Sequence, residues 1–303
     1  MRRVLALLTA AALGAALVGC APSHSDDRPL VVVSTNILGD VVGEMVGDDV
    51  EVLTLMRPDA DPHSFEISAQ DAARLRSADL VVSNGLGLEE GLQQHLDAAS
   101  DAGVPSFVAG DAIQVLDYAQ GDAEGIADPH FWTDPQRMLD VVTALEPVLA
   151  DLDAIDRAAV EDRTAAYSDA LEDLDTDMTE AFARIPAERR ALVTDHHVFG
   201  YLADRFGFRV VGAAIPGGTT LAAPSASDLA GLVGAIDEAG VSTVFAESSA
   251  PDRLMRALAD EASITVRVVE LHTESLTAPG GGAEDYLTMM RVNTERIAHG
   301  LSS

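Results

Sequence analysis

The sequence predicts an α/β protein of two lobes, each with a mainly parallel sheet flanked by helices, joined by one long backbone helix. Two observations carry this expectation. Short β-branched runs alternate with helically spaced apolar stripes in both halves of the chain, and the stretch between Pro147 and Pro186 contains neither proline nor glycine. The single cysteine, Cys20, closes an apolar leader, so the folded body must be held by its core and not by disulfides.

Arg2 and Arg3 precede the apolar run Val4 to Val18 and the small-residue site Leu17-Val18-Gly19-Cys20. The run is too short to cross a bilayer comfortably, and nothing after it resembles a stop-transfer segment, so residues 1–19 read as a secretory signal. The site resembles a bacterial lipobox, which implies cleavage before Cys20 and lipid attachment to it. Residues 20–29 are then a polar tether, placing the protein outside the cytoplasm and anchored to the cell membrane.

Leu30 to Ser34 is a β-branched strand, followed by Asn36 as a possible cap and a helical stripe at Ile37, Leu38, Val41, Val42 and Met45. A strand at 50–55, a helix at 68–77, a strand at 80–83 and a helix at 88–99 continue the alternation. With the unassigned stretch after Ala99, they complete an N-terminal lobe spanning 30–150. In the linking segment 151–185, Tyr167, Leu171, Leu174, Met178 and Phe182 keep a helical stripe. A helix over Ile155 to Arg184 would span about 45 Å at a rise of 1.5 Å per residue, enough to run the length of two lobes. The C-terminal lobe, 186–303, repeats the pattern. Its strands fall at 191–194, 209–213, 243–246 and 265–269, and its helices at 198–206, 227–239, 252–261 and 283–301.

Charge narrows the classes of partner. Removing Arg2 and Arg3 from the 19 basic residues leaves 17 against 50 acidic ones, a net charge of −33. So large an excess argues against nucleic acid and against adhesion to an anionic surface, and it concentrates cations around the protein.

Four segments carry the functional signal: Asp61-Pro62-His63-Ser64-Phe65-Glu66; Asp128-Pro129-His130-Phe131-Trp132-Thr133-Asp134-Pro135; His196-His197-Val198-Phe199-Gly200-Tyr201-Leu202; and a closing region of Phe245-Ala246-Glu247-Ser248-Ser249 with His272-Thr273-Glu274-Ser275-Leu276. In content and order they resemble the zinc and manganese class (cluster A-I) of solute-binding lipoproteins of bacterial ABC importers. That resemblance implies a monomer that captures a divalent metal and delivers it to a membrane permease, with no catalysis. It implies metal ligands at His63, His130 and His196. The family's fourth ligand is usually an aspartate, and the matching position here is Glu274. The family has also been credited with surface adhesion, for which no residue in this chain argues independently.

The residues support the same reading chemically. Each histidine falls where a strand gives way to a loop or helix start, which is where ligand groups gather in parallel α/β sheets. Three imidazoles and a carboxylate suit a borderline divalent ion, and a site filled by four protein groups leaves no open position for a reactive water. His197 competes with His196, but adjacent residues on a helix start point about 100° apart. His272 competes with Glu274, since alternation in an extended segment would put both on one side. His24, His95 and His299 read as solvent-facing. Asp61 and Asp128 read as backbone caps or partners orienting the imidazoles, Glu247 as a further supporting carboxylate, and Phe131 and Trp132 as packing around the site.

This donor set favours Zn2+ as the transported ion, with Mn2+ second and iron third. The stretch 111–127 lacks the histidine-rich insert that many zinc members carry, which weighs slightly against zinc. Rival classes find less support. Aromatic residues make up only 4% of the chain, too few to line a cleft for an iron chelate or corrinoid, and neither HExxH nor GxSxG occurs.

Overall fold

The computed structural model describes residues 28–302; the leader, Cys20, His24 and the tether up to residue 27 lie outside the described residues. Strand β1 (Leu30–Val33), helix α1 (Asn36–Val46), β2 (Glu51–Thr54), α2 (Ala69–Leu75), β3 (Leu80–Ser83), α3 (Gln93–Asp101) and β4 (Ser106–Val108) build the first sheet. Its order is β2-β1-β3-β4 and every pairing is parallel. After α4 (Pro135–Leu149) and α5 (Arg157–Ala183), the chain forms β5 (Ala191–Thr194), α6 (Gly200–Phe206), β6 (Arg209–Ala213), α7 (Ala226–Ala239), β7 (Thr243–Glu247), α8 (Arg253–Glu261) and β8 (Arg267–Leu271). This second sheet, β6-β5-β7-β8, is also parallel throughout, and α9 (Tyr286–Ser302) closes the fold. Both sheets therefore point their carboxyl ends toward shared loops, where a ligand site is expected.

Helix α5 buries Val160, Thr164, Tyr167, Leu171, Leu174, Met178 and Phe182 along one stripe and packs on α1, α4 and α9, elements from both halves. One continuous core cluster includes β1, α1, α4, α5, β5 and α9, so the backbone helix is rooted in both sheets at once. No helix among the described residues is long and apolar enough to cross a membrane.

Several elements depart from the sequence expectation for identifiable reasons. Helix α4 was not expected: Pro147 sits inside it, near its end, where a missing N–H costs one bond and not the helix, and Asp134 with Pro135 starts it as cap and first residue. Strand β4 is three residues long, too short to show a period. Helix α3 begins at Gln93 and not near Leu88, because the carboxylate of Glu89 turns back to accept the backbone N–H groups of Asn84 and Gly85, at 2.6 and 3.1 Å. Strand β8 lies two residues later than expected. Thr35, and not Asn36, caps α1.

Asn36 instead joins the halves. Its side-chain N–H group donates to Ser275 Oγ at 2.8 Å and its Oδ1 accepts from Leu276 N at 3.0 Å. Asp40 of α1 likewise accepts from Tyr286 N at 2.9 Å, at the start of α9. These ties set the loops of one half against those of the other.

Candidate metal centre

His63 and His130 are placed by the same local device. In each Asp-Pro-His turn the aspartate accepts the histidine's own backbone N–H, Asp61 Oδ1 at 2.8 Å and Asp128 Oδ1 at 2.9 Å. Asp128 Oδ1 also lies 2.7 Å from His130 Nδ1, which fixes the proton on that nitrogen and leaves Nε2 as a free donor to an ion. A side chain at Gly200 would collide with the Asp128 carboxylate, so the glycine opening α6 makes room for this pair. His196 leaves the end of β5 with its N–H on the neighbouring Asp195 Oδ1 at 3.0 Å and its Nδ1 3.3 Å from the same atom.

Glu274 lies beyond β8 in an irregular segment held from several directions. Glu247 accepts Thr273 N at 3.1 Å, Trp132 Nε1 donates to Thr273 O at 2.8 Å, and Asn36 fixes Ser275 and Leu276. The result brings His63, His130, His196 and Glu274 together, each with a donor atom within 4.8 Å of the others and each no more than 1% exposed. His63 Nε2 is 3.3 Å from His130 Nε2, and His196 Nε2 is 3.1 Å from Glu274 Oε1. Glu274 Oε1 is 3.5 Å from His130 Nε2, and Oε2 is 3.6 Å from His63 Nε2.

Taken out of water, these groups balance one another. Burial pushes the His63 pKa down to about 4, against the pull of Glu274. Burial disfavours charge on His196 too, but Glu274 and Asp195 outweigh it and raise that imidazole well above its ordinary value. Burial alone would raise the Glu274 carboxyl; the three imidazoles outweigh it and hold the group down to about 2. Burial, and then Asp195 and Glu274, raise the Glu247 carboxyl to about 8, which weakens its negative charge beside the cluster.

The competing residues lie elsewhere. His272 turns away: its Nδ1 meets Ser248 Oγ at 3.0 Å and its Nε2 meets Arg296 Nη1 at 3.2 Å. The segment bends between His272 and Glu274, so the alternation expected of an extended strand does not apply. His197 is buried but outside the cluster. His95 is half-buried rather than solvent-facing, and His299 is exposed. Trp132 packs its ring 5.2 Å from the His130 ring, and Phe131 is fully buried beside it.

Four supporting residues escaped sequence reasoning. The Tyr118 hydroxyl donates to Gly218 O at 2.9 Å and lies 3.3 Å from His130 Nδ1; Thr220 Oγ1 donates to Asp61 Oδ2 at 2.6 Å; and Asn36 ties down the Glu274 segment. Asp195 is the fourth, although an aspartate directly before a ligand-type histidine was a usable signal.

The family model for the zinc-uptake complex component A, periplasmic, matches residues 31–300. The chain is 29% identical over 307 residues to the manganese ABC transporter substrate-binding lipoprotein PsaA of Streptococcus pneumoniae, covering 99% of this chain and 98% of that protein. It is 28% identical over 286 residues to the iron-binding protein YfeA of Yersinia pestis, covering 94% and 90%. Among solved structures, the periplasmic zinc-binding protein TroA of Treponema pallidum matches with a TM-score of 0.83 at 29% identity, covering 91% of this chain and all of that one. The chain therefore belongs to the periplasmic zinc-uptake component A family, whose members are metal-binding subunits of ABC importers and not enzymes.

Proposed function

We propose that the chain captures zinc outside the cytoplasm, with His63, His130, His196 and Glu274 as its four ligands, and passes it to an ABC permease. The observation that carries this reading is the spacing of the donors. Four ligands about 2.0–2.1 Å from a tetrahedral zinc lie about 3.3 Å from one another; four of the contacts within the cluster run from 3.1 to 3.6 Å, and all four donors lie within 4.8 Å of one another. Four buried protein donors also leave no coordination position for a reacting water, which suits capture and release. Zinc entering this cluster replaces a proton: the imidazolium at His196 gives way to the ion beside the already ionised Glu274.

A second reading, manganese or iron, has one observation in its favour. Glu274 Oε2 has no hydrogen-bond partner among the described residues. A carboxylate offering both oxygens would raise the oxygen share and the coordination number, which suits those ions better. In the test tube zinc should bind more tightly than manganese on either reading, so affinity does not decide. The deciding measurement is cellular metal content after deletion of the gene under metal limitation. Zinc should fall; a fall in manganese or iron with zinc unchanged would assign the cargo otherwise.

The same proposal includes anchoring by lipid at Cys20, motivated by the lipobox-like Leu17-Val18-Gly19-Cys20. Cys20→Ala should abolish incorporation of labelled lipid, and continued lipidation of that variant would refute the anchor.

A further inference from the structure

Glu89 is a buried carboxylate that the four-residue cluster does not use; it is 3% exposed and enters no ion pair among the described residues. Such a group is costly to bury unless hydrogen bonds satisfy it. Its Oε1 accepts from Ser34 Oγ, just past β1, and from Asn84 N, just past β3, both at 2.6 Å, and its Oε2 accepts from Gly85 N at 3.1 Å. The carboxylate thus pins the loop 84–91 to the carboxyl ends of the two central strands of the first sheet. The loop needs that grip. Leu86 within it sits at φ +56°, a left-handed conformation that a leucine rarely adopts unless its surroundings impose it.

Both ends of this loop reach the donor turns of the same half. Asn84 Nδ2 donates to Pro129 O at 3.1 Å, the carbonyl of the peptide that joins Pro129 to His130, and Asp128 accepts the N–H of that same peptide at 2.9 Å. The peptide is therefore gripped on its two polar atoms and cannot turn to carry the imidazole away. At the other end, Gly91 lies so close to Phe65 O that a Cβ would stand 2.5 Å from it. Phe65 N in turn closes the His63 turn onto Asp61 O at 3.1 Å. One loop thus touches both turns, whose Nε2 atoms meet at 3.3 Å across 67 positions of sequence.

We propose that Glu89 and Asn84 are positioning residues of the metal centre, which set the His63 and His130 turns at the spacing the ion requires. This rests on the reading that the four-residue cluster holds the ion. Glu89 touches neither histidine; it acts through Asn84 and through the path of the loop to Gly91. Donors fixed before the ion arrives spare it the cost of ordering them, so loosening the brace weakens binding without removing a ligand.

Zinc and cobalt titrations of the metal-free full chain test this. The visible bands of Co2+ depend on the number and arrangement of its ligands, so they report the geometry of the cluster. Asn84→Ala removes the donor to Pro129 O. Glu89→Gln keeps the size of the side chain but sets an amide N–H against a backbone N–H whichever way it turns, and it serves where the alanine variant folds poorly. Both variants should bind zinc roughly 10-fold or more weakly and change the cobalt bands. Thr243→Ala is the control: it removes a buried hydrogen bond to Gly300 O, 2.7 Å long, at the start of β7, the end away from the cluster. It should lower the melting temperature while leaving the bands and the zinc affinity as in the parent. Parent-like bands and affinity in both brace variants, or changes no larger than those of Thr243→Ala, overturn the proposal. Failure of the cluster reading looks different: the cobalt bands would then persist unchanged in His130→Ala.

Discussion

Two regions of the site, the Asp-Pro-His turns of the first half and the Glu274 segment of the second, position their donors differently. His63 and His130, from the first half, sit in two copies of one turn, each aspartate binding the backbone of a histidine two residues on. Glu274, from the second half, has no such local support; its segment is held by Asn36 and Trp132, which belong to the first half. One pair of donors is therefore built by local sequence, while the carboxylate reaches its place only when the halves are packed together. An ion that needs both kinds of donor reads out the contact between the halves, which gives a binding protein a way to couple loading to shape.

The largest effects should come from the donors themselves. His130→Ala and Glu274→Ala each leave three ligands and should weaken zinc binding by a hundredfold or more, about 3 kcal/mol or above. Metal-linked stabilisation should fall with it, since a ligand that binds only the native state adds RT ln(1 + [L]/Kd). Alanine at His299, exposed and outside the cluster, should leave zinc affinity unchanged. Zinc affinity in Glu274→Ala equal to that of the parent would remove the carboxylate from the site and collapse the contrast.

Next in size are the supports. Asp128→Asn and Asn36→Ala probe the local and the long-range device, and both should weaken zinc by roughly 10- to 100-fold. They should differ in what else they change. Asn36→Ala leaves Leu276 N–H buried without its partner and should lower the metal-free melting temperature by the equivalent of about 1–3 kcal/mol. Asp128→Asn keeps an acceptor oxygen for His130 N and should disturb the metal-free fold less. Calorimetric melting with and without zinc separates the two, and identical behaviour would show that the local and long-range supports are one network.

The same contrast explains what was legible in the sequence. The β/α alternation could be read because period and burial coincide in strands such as Val31 to Val33, all fully buried. The Asp-Pro-His turns could be read because their chemistry is contained within three residues. Asn36 could not, since its partners lie about 240 positions away and its sequence context suggests only a helix cap. The choice between His272 and Glu274 stayed open for the same reason: a bend set by long-range partners decides which side chain faces the imidazoles. Helix α4 is hidden because Pro147, near its end, interrupts what would otherwise read as a helical segment.

The smallest expected effect concerns a tie between the halves that depends on pH. Asp40 accepts the Tyr286 backbone N–H, yet burial, aided by Asp285 and Glu44, raises its pKa from 3.8 to about 6, the hydrogen bond notwithstanding. A carboxyl whose folded pKa exceeds its unfolded one binds its proton more firmly in the folded state. Its contribution to stability is fully present below about pH 4 and is lost as pH rises through about 6. Asp40→Asn keeps an acceptor oxygen for Tyr286 without the charge, so it should raise stability at pH 7–8 and give no gain near pH 4. Two pKa units correspond to about 3 kcal/mol at most. Solvent still reaches this half-buried group, and screening reduces the expected gain to on the order of 1 kcal/mol. Melting curves of parent and variant across this range make the measurement. A variant less stable than the parent at pH 8 would show that the ionised Asp40 strengthens the tie to α9, reversing the sign derived from its burial.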